Sequence, residues 1–493
     1  MRVRNGILAV LGVLLFTSSH AKAAKFQTFP PNFKWCAATS AHQIEGGNTK
    51  ADWWEWENLA PRCDASGCHC KVKNCEKSGL AADHWNRVDE DVRLMRDLNL
   101  KQYRFGIEWA KIEPREGEID WNVVAHYRRE VQQLEEAGIE PMITLQHFTL
   151  PTWVSQKGAW TWPGMPLAFK KFTELAYQHI GPRVRDWVTV NEPLIMLGGG
   201  YALGIMPPGL GPSEKPKREK LPKECRQDVD DSAPLVGAPT KQDILRVIPA
   251  LEGLLKAHAL AYHALHALAV EQNKTVRVGM ANHLRIFEPR LSYSPFDDVV
   301  ARIFDSFFNW SVPDALESGE LKVVIPSMLS YQKKIPGLKR TQDFFGMNYY
   351  TRDLVWFKIK GGLGAGICAK NTTQANDMGW EIYPQGMYRL LVRVGSRYLR
   401  LPVLITENGL ADKNDSRREK FLKDHLTEVH RAIGKGVKVE AYCHWSLMDN
   451  FEWIEGFGPR FGLYEIDYST MARIPRPSAR TYADIAAKNG FVQ

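Results

Sequence analysis

An α/β chain closed into a single (β/α)8 TIM barrel is the fold this sequence predicts, and three features predict it. Eight short, apolar, β-rich runs recur along the 493 residues. Helix-length amphipathic stretches separate them, the alternation of a parallel sheet wrapped by helices. Finally, the runs do not fade into ordinary turns but end on acids, amides and aromatic rings, and in a barrel those C-terminal ends converge on one face.

The elements follow in order. The first run, 33–38 (FKWCAA), leads into TSAHQIEG and Gln43, and an amphipathic helix at 84–98 follows. The second, 102–105 (QYRF), carries Arg104 and precedes a helix at 122–137. The third, 140–146 (EPMITLQ), runs into His147, with a helix at 168–180 after it. The fourth, 186–191 (DWVTVN), stops on Asn191, Glu192 and Pro193, and a long helix at 242–270 leads to the fifth, 276–282 (VRVGMAN). The sixth, 343–348 (DFFGMN), ends on Asn348 with Tyr350 close behind, then a helix at 385–398. The seventh, 403–407 (VLITE), ends on Glu407, and a helix at 417–434 leads to the eighth, 439–445, which ends on Trp445 ahead of Glu452 and Trp453. A lone acid before proline or glycine is ordinarily a turn residue or a helix cap. Seven such ends aimed at one face point instead to a functional cavity.

Composition bounds the rest. The chain is 44% hydrophobic, with 16 Trp, 16 Tyr and 21 Phe, enough for a large core. Residues 1–23 place Arg2 and Arg4 before a short apolar stretch and end on Ala21-Lys22-Ala23. This predicts a cleaved secretory signal followed by a catalytic domain at 24–493, in a protein that is secreted and not inserted in a membrane. Cleavage lowers the formal charge from +8 to +5, and much of that excess sits in the loop SEKPKREKLPKE, a solvated surface and not a nucleic-acid site. Cys36 and Cys443 lie in apolar runs and are expected to be buried thiols. Cys63, Cys68, Cys70 and Cys75 crowd one loop, where disulfides in any of three pairings are favoured over a zinc site using His69. Cys225 and Cys368 lie in other polar segments.

Two acids, a cation, amides and several tryptophans suit a sugar, whose apolar face stacks on aromatic rings while its hydroxyls bind polar groups. Breaking a glycosidic bond needs a proton donor and a second carboxylate flanking one carbon. No phosphate-loop, HExxH or GxSxG motif is present, and no cofactor or metal is expected.

The motifs TSAHQIEG, YRFGIEWAKIEP, TVNEP, DFFGMNYYT, LITENGL and HWSLMDNFEWIEGFGPRFGL together resemble glycoside hydrolase family 1, the β-glucosidase family, over essentially the mature length. The resemblance implies a general acid/base at Glu192 and a nucleophile at Glu407. Asn191 would hold the sugar 2-hydroxyl, and Arg104 and Tyr350 would contact Glu407. Gln43, His147, Asn348, Glu452 and Trp453 would bind the sugar, with Trp445 beneath the ring and Phe461 on the wall. Arg104 beside Glu407 leads us to expect Glu407 ionised and the proton on Glu192, with retention of configuration and carboxyls roughly 5–5.5 Å apart. His42, Phe148, Cys36, Gly106 and Glu108 depart from the family's common residues. An intact Glu192 and the presence of Glu452 favour an unphosphorylated β-glucoside, small or oligosaccharide, with β-galactoside and β-fucoside as further substrates. The loop 209–240 and the cysteine loop are placed at the aglycone side. A transglycosidase using the same pair, or a non-catalytic glycan-binding protein on this fold, are the other readings.

Overall fold

The computed structural model describes residues 26–64, 67–211, 221–226, 240–326, 328–358 and 364–492. The expected signal segment lies outside these residues, as does most of the 209–240 loop. Eight strands form the barrel: β1 (Lys34–Ala38), β2 (Gln102–Gly106), β3 (Glu140–Thr144), β4 (Asp186–Asn191), β5 (Arg277–Pro289), β6 (Phe345–Lys358), β7 (Val403–Asn408) and β8 (Val439–Trp445). Each pairs in parallel with the next, and β8 pairs with β1, so the eight-stranded ring closes on itself.

The strands read as apolar runs because both of their faces are covered. β4, for instance, is buried at every residue, with helices outside and side chains filling the lumen. Within the lumen Met142, Val188, Ala281, Phe344, Leu404 and Ala441 form one apolar layer. Toward the N-terminal end Asp186 accepts hydrogen bonds from Gln102 (2.9 Å) and from Arg277 (2.7 and 2.8 Å), and Arg277 also reaches Glu440 at 2.6 Å. Apolar filling and ion pairs close that end, which leaves the C-terminal rim for chemistry.

The outer layer comprises α1 (His84–Asp97), α2 (Trp121–Glu136), α3 (Met165–His179), α4 (Lys241–Glu271), α5 (Ser311–Ser318), α6 (Pro384–Arg397), α7 (Arg418–Ile433) and α8 (Pro477–Lys488). Local chemistry sets their starts. Asp120 accepts from the backbone N–H groups of Asn122 and Val123 before α2. Thr240 and Asp243 form a reciprocal capping box at the head of α4. Six of the eight match the predicted helical stretches within a few residues; α5 and α8 were not predicted.

Two corrections arise here. β5 and β6 overrun their predicted ends at 282 and 348 because they stay paired beyond the rim, through Arg352 opposite Ile286 to Val355 opposite Pro289. More substantially, Cys36 and Cys443 are not free thiols. Closure of the barrel puts them opposite each other in the β1–β8 register, and they form a disulfide. Cys225 pairs with Cys368, and the cysteine loop resolves into Cys63–Cys68 and Cys70–Cys75. Sulfurs bonded to one another are not thiolates, so the alternative of a zinc site with His69 is withdrawn.

Candidate active site

Seven of the strand ends meet at the rim as expected. On β2, the fully buried Arg104 radiates four hydrogen bonds. Its Nε donates to Thr144 Oγ1 (3.1 Å) and its Nη2 to Asn191 Oδ1 (2.7 Å), while Nη1 donates to the Thr406 carbonyl (3.1 Å) and to Glu407 Oε1 (2.6 Å). Tyr350 O–H donates to the other oxygen of Glu407 at 2.8 Å. Glu407 is thus gripped on both oxygens.

Glu192 receives a separate set of donors. Asn348 Nδ2 gives one hydrogen bond to Glu192 Oε1 (2.8 Å) and another to Asn191 Oδ1 (3.1 Å), its amide oriented by Thr406 Oγ1 donating to its Oδ1 (2.6 Å). Asn191 is therefore the shared node between the carboxyls, bonded to the cation that holds one and the amide that holds the other. The eighth strand end supplies a residue the sequence analysis missed: His283 on β5, whose Nδ1 lies 2.9 Å from Glu192 Oε1. The signal was present in HLR directly after the fifth apolar run, because the strand continues past 282 through His283 to Pro289.

The sugar-facing groups assemble beside this pair. Gln43 Nε2 donates to Asn450 Oδ1 (2.8 Å), to the Phe451 carbonyl (3.0 Å) and, more weakly, to Glu452 Oε2 (3.3 Å). Asn191 Nδ2 donates to His147 Nε2 at 2.9 Å. Burial and the charge of Arg104 hold His147 well below the usual imidazole range, so the ring is neutral. Gln43 Oε1 and His147 Nδ1 are buried with no protein partner among the described residues. A buried polar atom left unpaired costs about 1–3 kcal/mol, so both are poised for an external hydroxyl. The ring of His147 lies 5.7 Å from that of Trp445 and 6.1 Å from that of Trp453, and Phe461 lies 6.2 Å from Tyr350.

The family departures concentrate around one side chain. His42 stacks on Trp453 almost in parallel (5.6 Å, 4°), and Phe148 lies 5.0 Å from it. Phe148, Glu192 and Trp453 all adopt left-handed backbone, with φ of 76°, 44° and 52°. Each such residue costs of order 1–3 kcal/mol and persists where surroundings over-determine it, a pattern concentrated at functional sites. Gly106 and Glu108 leave the carboxyl pair untouched. A Cβ on Gly106 would meet the Ala41 backbone nitrogen, and Glu108 is buried as an acceptor for Thr149.

Gly409, directly after the LITEN strand end, has a packing reason. A Cβ there would collide with the carbonyl oxygen of Trp445, so β7 and β8 reach this spacing only with glycine. Gly409→Ala is expected to cost about 1–3 kcal/mol by overpacking and to displace Glu407 together with Trp445. Its check is a lowered apparent Tm with reduced kcat, and wild-type values for both would refute this account.

Electrostatics reverse one expectation. Burial and the nearby charge of Glu192 outweigh Arg104 and Tyr350, pushing Glu407 up to about 7. Burial also acts to raise Glu192, but His283, Asn348 and Arg285 hold it below the usual carboxylate range. Glu452, buried beside both acids, is pushed up to about 8. In the free cavity these directions run against the expected proton on Glu192 and charge on Glu407. Expecting it from Arg104 alone ignored burial and the second set of donors. The two acids titrate as one coupled pair, and in its singly protonated form they share the proton.

Acetal cleavage requires a proton donor and a second carboxyl at the same carbon. A parallel barrel that gathers both at its rim, beside polar atoms awaiting hydroxyls and a wall of indoles, defines a glycoside hydrolase. The model of glycosyl hydrolase family 1 matches residues 25–491, and the chain belongs to that family. Beta-glucosidase A of Thermotoga maritima is 29% identical over 94% of this chain and 98% of its own length. Beta-glucosidase 47 of Arabidopsis thaliana is 30% identical over 92% of this chain and 84% of its own. Among solved structures, the β-glycosidase of Pyrococcus horikoshii superposes with a TM-score of 0.77 at 32% identity, covering 95% of this chain and 97% of that one. The Thermotoga maritima family 1 β-glucosidase gives 0.80 at 28% identity, covering 95% and 100%. The complex of Thermotoga maritima β-glucosidase with deoxynojirimycin also matches, with a TM-score of 0.79 at 28% identity, covering 94% of this chain and 100% of that one.

Proposed function

We propose that the protein is a secreted, retaining β-glycosidase that removes terminal β-D-glucosyl groups from unphosphorylated glycosides, with 24–493 as its catalytic domain. The carrying observation is the asymmetry of the carboxyl pair. Arg104 and Tyr350 address both oxygens of Glu407, fixing its orientation for attack on the anomeric carbon. Both neighbouring donors address one oxygen of Glu192, which suits a group that must give and take a proton. Glu407 attacks C1 as Glu192 protonates the departing oxygen; the C1–O bond breaks and a covalent glycosyl-enzyme forms. Glu192, now ionised, takes a proton from water as that water attacks C1 and releases Glu407. Attack needs the shared proton on Glu192, and a glycosidic oxygen seated there would draw it over by accepting its hydrogen bond.

In this reading Asn191 holds the 2-hydroxyl, and Gln43, His147, Asn348, Glu452, Trp445, Trp453 and Phe461 bind the rest of the sugar. Glu452 hydrogen-bonds Gln43 and Trp445 and feels three further carboxyls, Glu192, Glu407 and Glu455, and none of these groups is a cation that would hold a phosphate. That supports a free 6-hydroxyl over a 6-phosphate. Secretion is supported by the predicted signal and by four disulfides, bonds that persist in oxidising compartments.

The test is a panel of aryl β-glucoside, galactoside, fucoside, mannoside, xyloside and 6-phosphoglucoside, with the first-formed anomer followed by NMR. The expected result is strongest turnover of the glucoside, release of the β-anomer and no turnover of the 6-phosphoglucoside. Release of the α-anomer, or inertness of well-folded protein across the panel, would overturn the proposal. An alcohol acceptor added to the same assay separates hydrolysis from transfer.

A further inference from the structure

A chain of side chains stands behind Glu192 for which the double-displacement scheme has no use. His283 and Arg285 lie two residues apart on β5 and therefore on one face of the strand. Arg285 Nη1 donates to Asp353 Oδ2 on β6 at 2.7 Å, and Arg285 Nε donates to His283 Nε2 at 3.0 Å. A guanidinium can only donate, so Nε2 must carry a lone pair and the imidazole proton must sit on Nδ1. Nδ1 faces Glu192 Oε1 at 2.9 Å. The ring is kept in plane by Tyr350 (5.8 Å, 26°) and edge-on by Phe308 (5.8 Å).

We propose that His283 is the positioning residue of Glu192, locked by Arg285 and Asp353 as a neutral Nδ1–H donor, so that the acid proton is confined to Oε2 and directed at the leaving-group oxygen. With Asn348 donating to the same Oε1, a proton on that oxygen would face two N–H groups. The lock also keeps the imidazole from taking the proton itself, because Nε2 is occupied by a cation's N–H. The inference rests on the acid/base role given to Glu192 above.

The charged and titratable groups around this unit set the sign of its pH effect. Glu407 and Glu452 share the cavity with Glu192, Tyr350 flanks His283, Arg104 bonds Glu407 directly and also bonds Asn191, and Arg285 with Asp353 lies behind. Donation to Oε1 favours the ionised form of Glu192. Removing it weakens Glu192 as an acid, raising its pKa alone, so the pH window in which the pair holds one proton moves to higher pH, and neither limb moves down.

The experiment compares His283→Ala, His283→Asn and Arg285→Leu on phenyl and 2,4-dinitrophenyl β-glucosides across pH. The phenyl substrate needs proton assistance and the dinitrophenyl substrate hardly does. His283→Ala is expected to lower kcat/KM on the phenyl substrate about tenfold more than on the other, a fraction of the 10²–10⁴ carried by general acid catalysis. Its pH profile should move alkaline. His283→Asn, which keeps a neutral N–H donor at this position, should recover most of the difference. Arg285→Leu should add a new titration to the profile, and that titration should vanish when combined with His283→Asn. Equal losses on both substrates, or an unmoved pH profile, overturn the role of His283 while leaving the hydrolase reading intact. No turnover by the unsubstituted protein overturns both. If His283→Ala does not fold, the Asn variant and the Arg285 pair decide the question.

Discussion

Glu407→Gln is expected to lower kcat on aryl β-glucosides by 10⁴-fold or more, on the order of what enzymes lose with a covalent nucleophile. An amide can occupy the same space between Arg104 and Tyr350 but cannot form the glycosyl ester. Folding should survive the change. Burial and Glu192 already push Glu407 up to about 7, so the cavity accepts a neutral group here near neutral pH. Stopped-flow with dinitrophenyl glucoside should show no burst of phenol, and an apparent Tm near that of the wild type would show that the loss is chemical. Activity above about one per cent of wild type would require a different nucleophile.

The same electrostatics fix the wild-type pH dependence. Productive enzyme carries one proton on the Glu192–Glu407 pair. Above about 7 that proton is lost and no acid remains; well below it both groups are protonated and no nucleophile remains. A bell in kcat/KM with its alkaline limb near pH 7 is expected, whichever carboxyl holds the proton at rest.

The sequence made the barrel legible because a strand covered on both faces must be a continuous apolar run, and β4 and β7 are buried throughout. The site was legible where a polar residue broke such a run, as at Asn191 and Glu407. It was illegible where contacts depend on closure. Cys36 and Cys443 are 407 residues apart and sit in apolar surroundings that suit a thiol as well as a disulfide; only the β1–β8 pairing makes them neighbours. His283 was hidden because β5 continues past the rim, so a residue that resembled the start of a loop is still strand and still aimed at Glu192. The proton was assigned to Glu192 from one visible cation, whereas the depth of burial and the opposing donors exist only in three dimensions.

Glu192→Gln should have an effect whose size depends on the leaving group, and that dependence is its signature. On phenyl or alkyl glucosides the departing oxygen needs its proton, and kcat/KM is expected to fall by the 10²–10⁴ of general acid catalysis. On 2,4-dinitrophenyl glucoside the leaving group departs without one, so Glu407 still captures the sugar and the first step persists. Turnover then stalls at the glycosyl-enzyme, because no carboxylate remains to deprotonate the incoming water. A burst of dinitrophenol followed by a slow phase should result. Azide needs no deprotonation, so it should restore turnover and yield the β-glucosyl azide, the configuration set by two successive inversions at C1. The α-azide would mean that Glu407 had not been the first nucleophile. An equal loss on both substrates, without azide rescue, would assign Glu192 to substrate binding and leave the acid/base to be found elsewhere in the cavity.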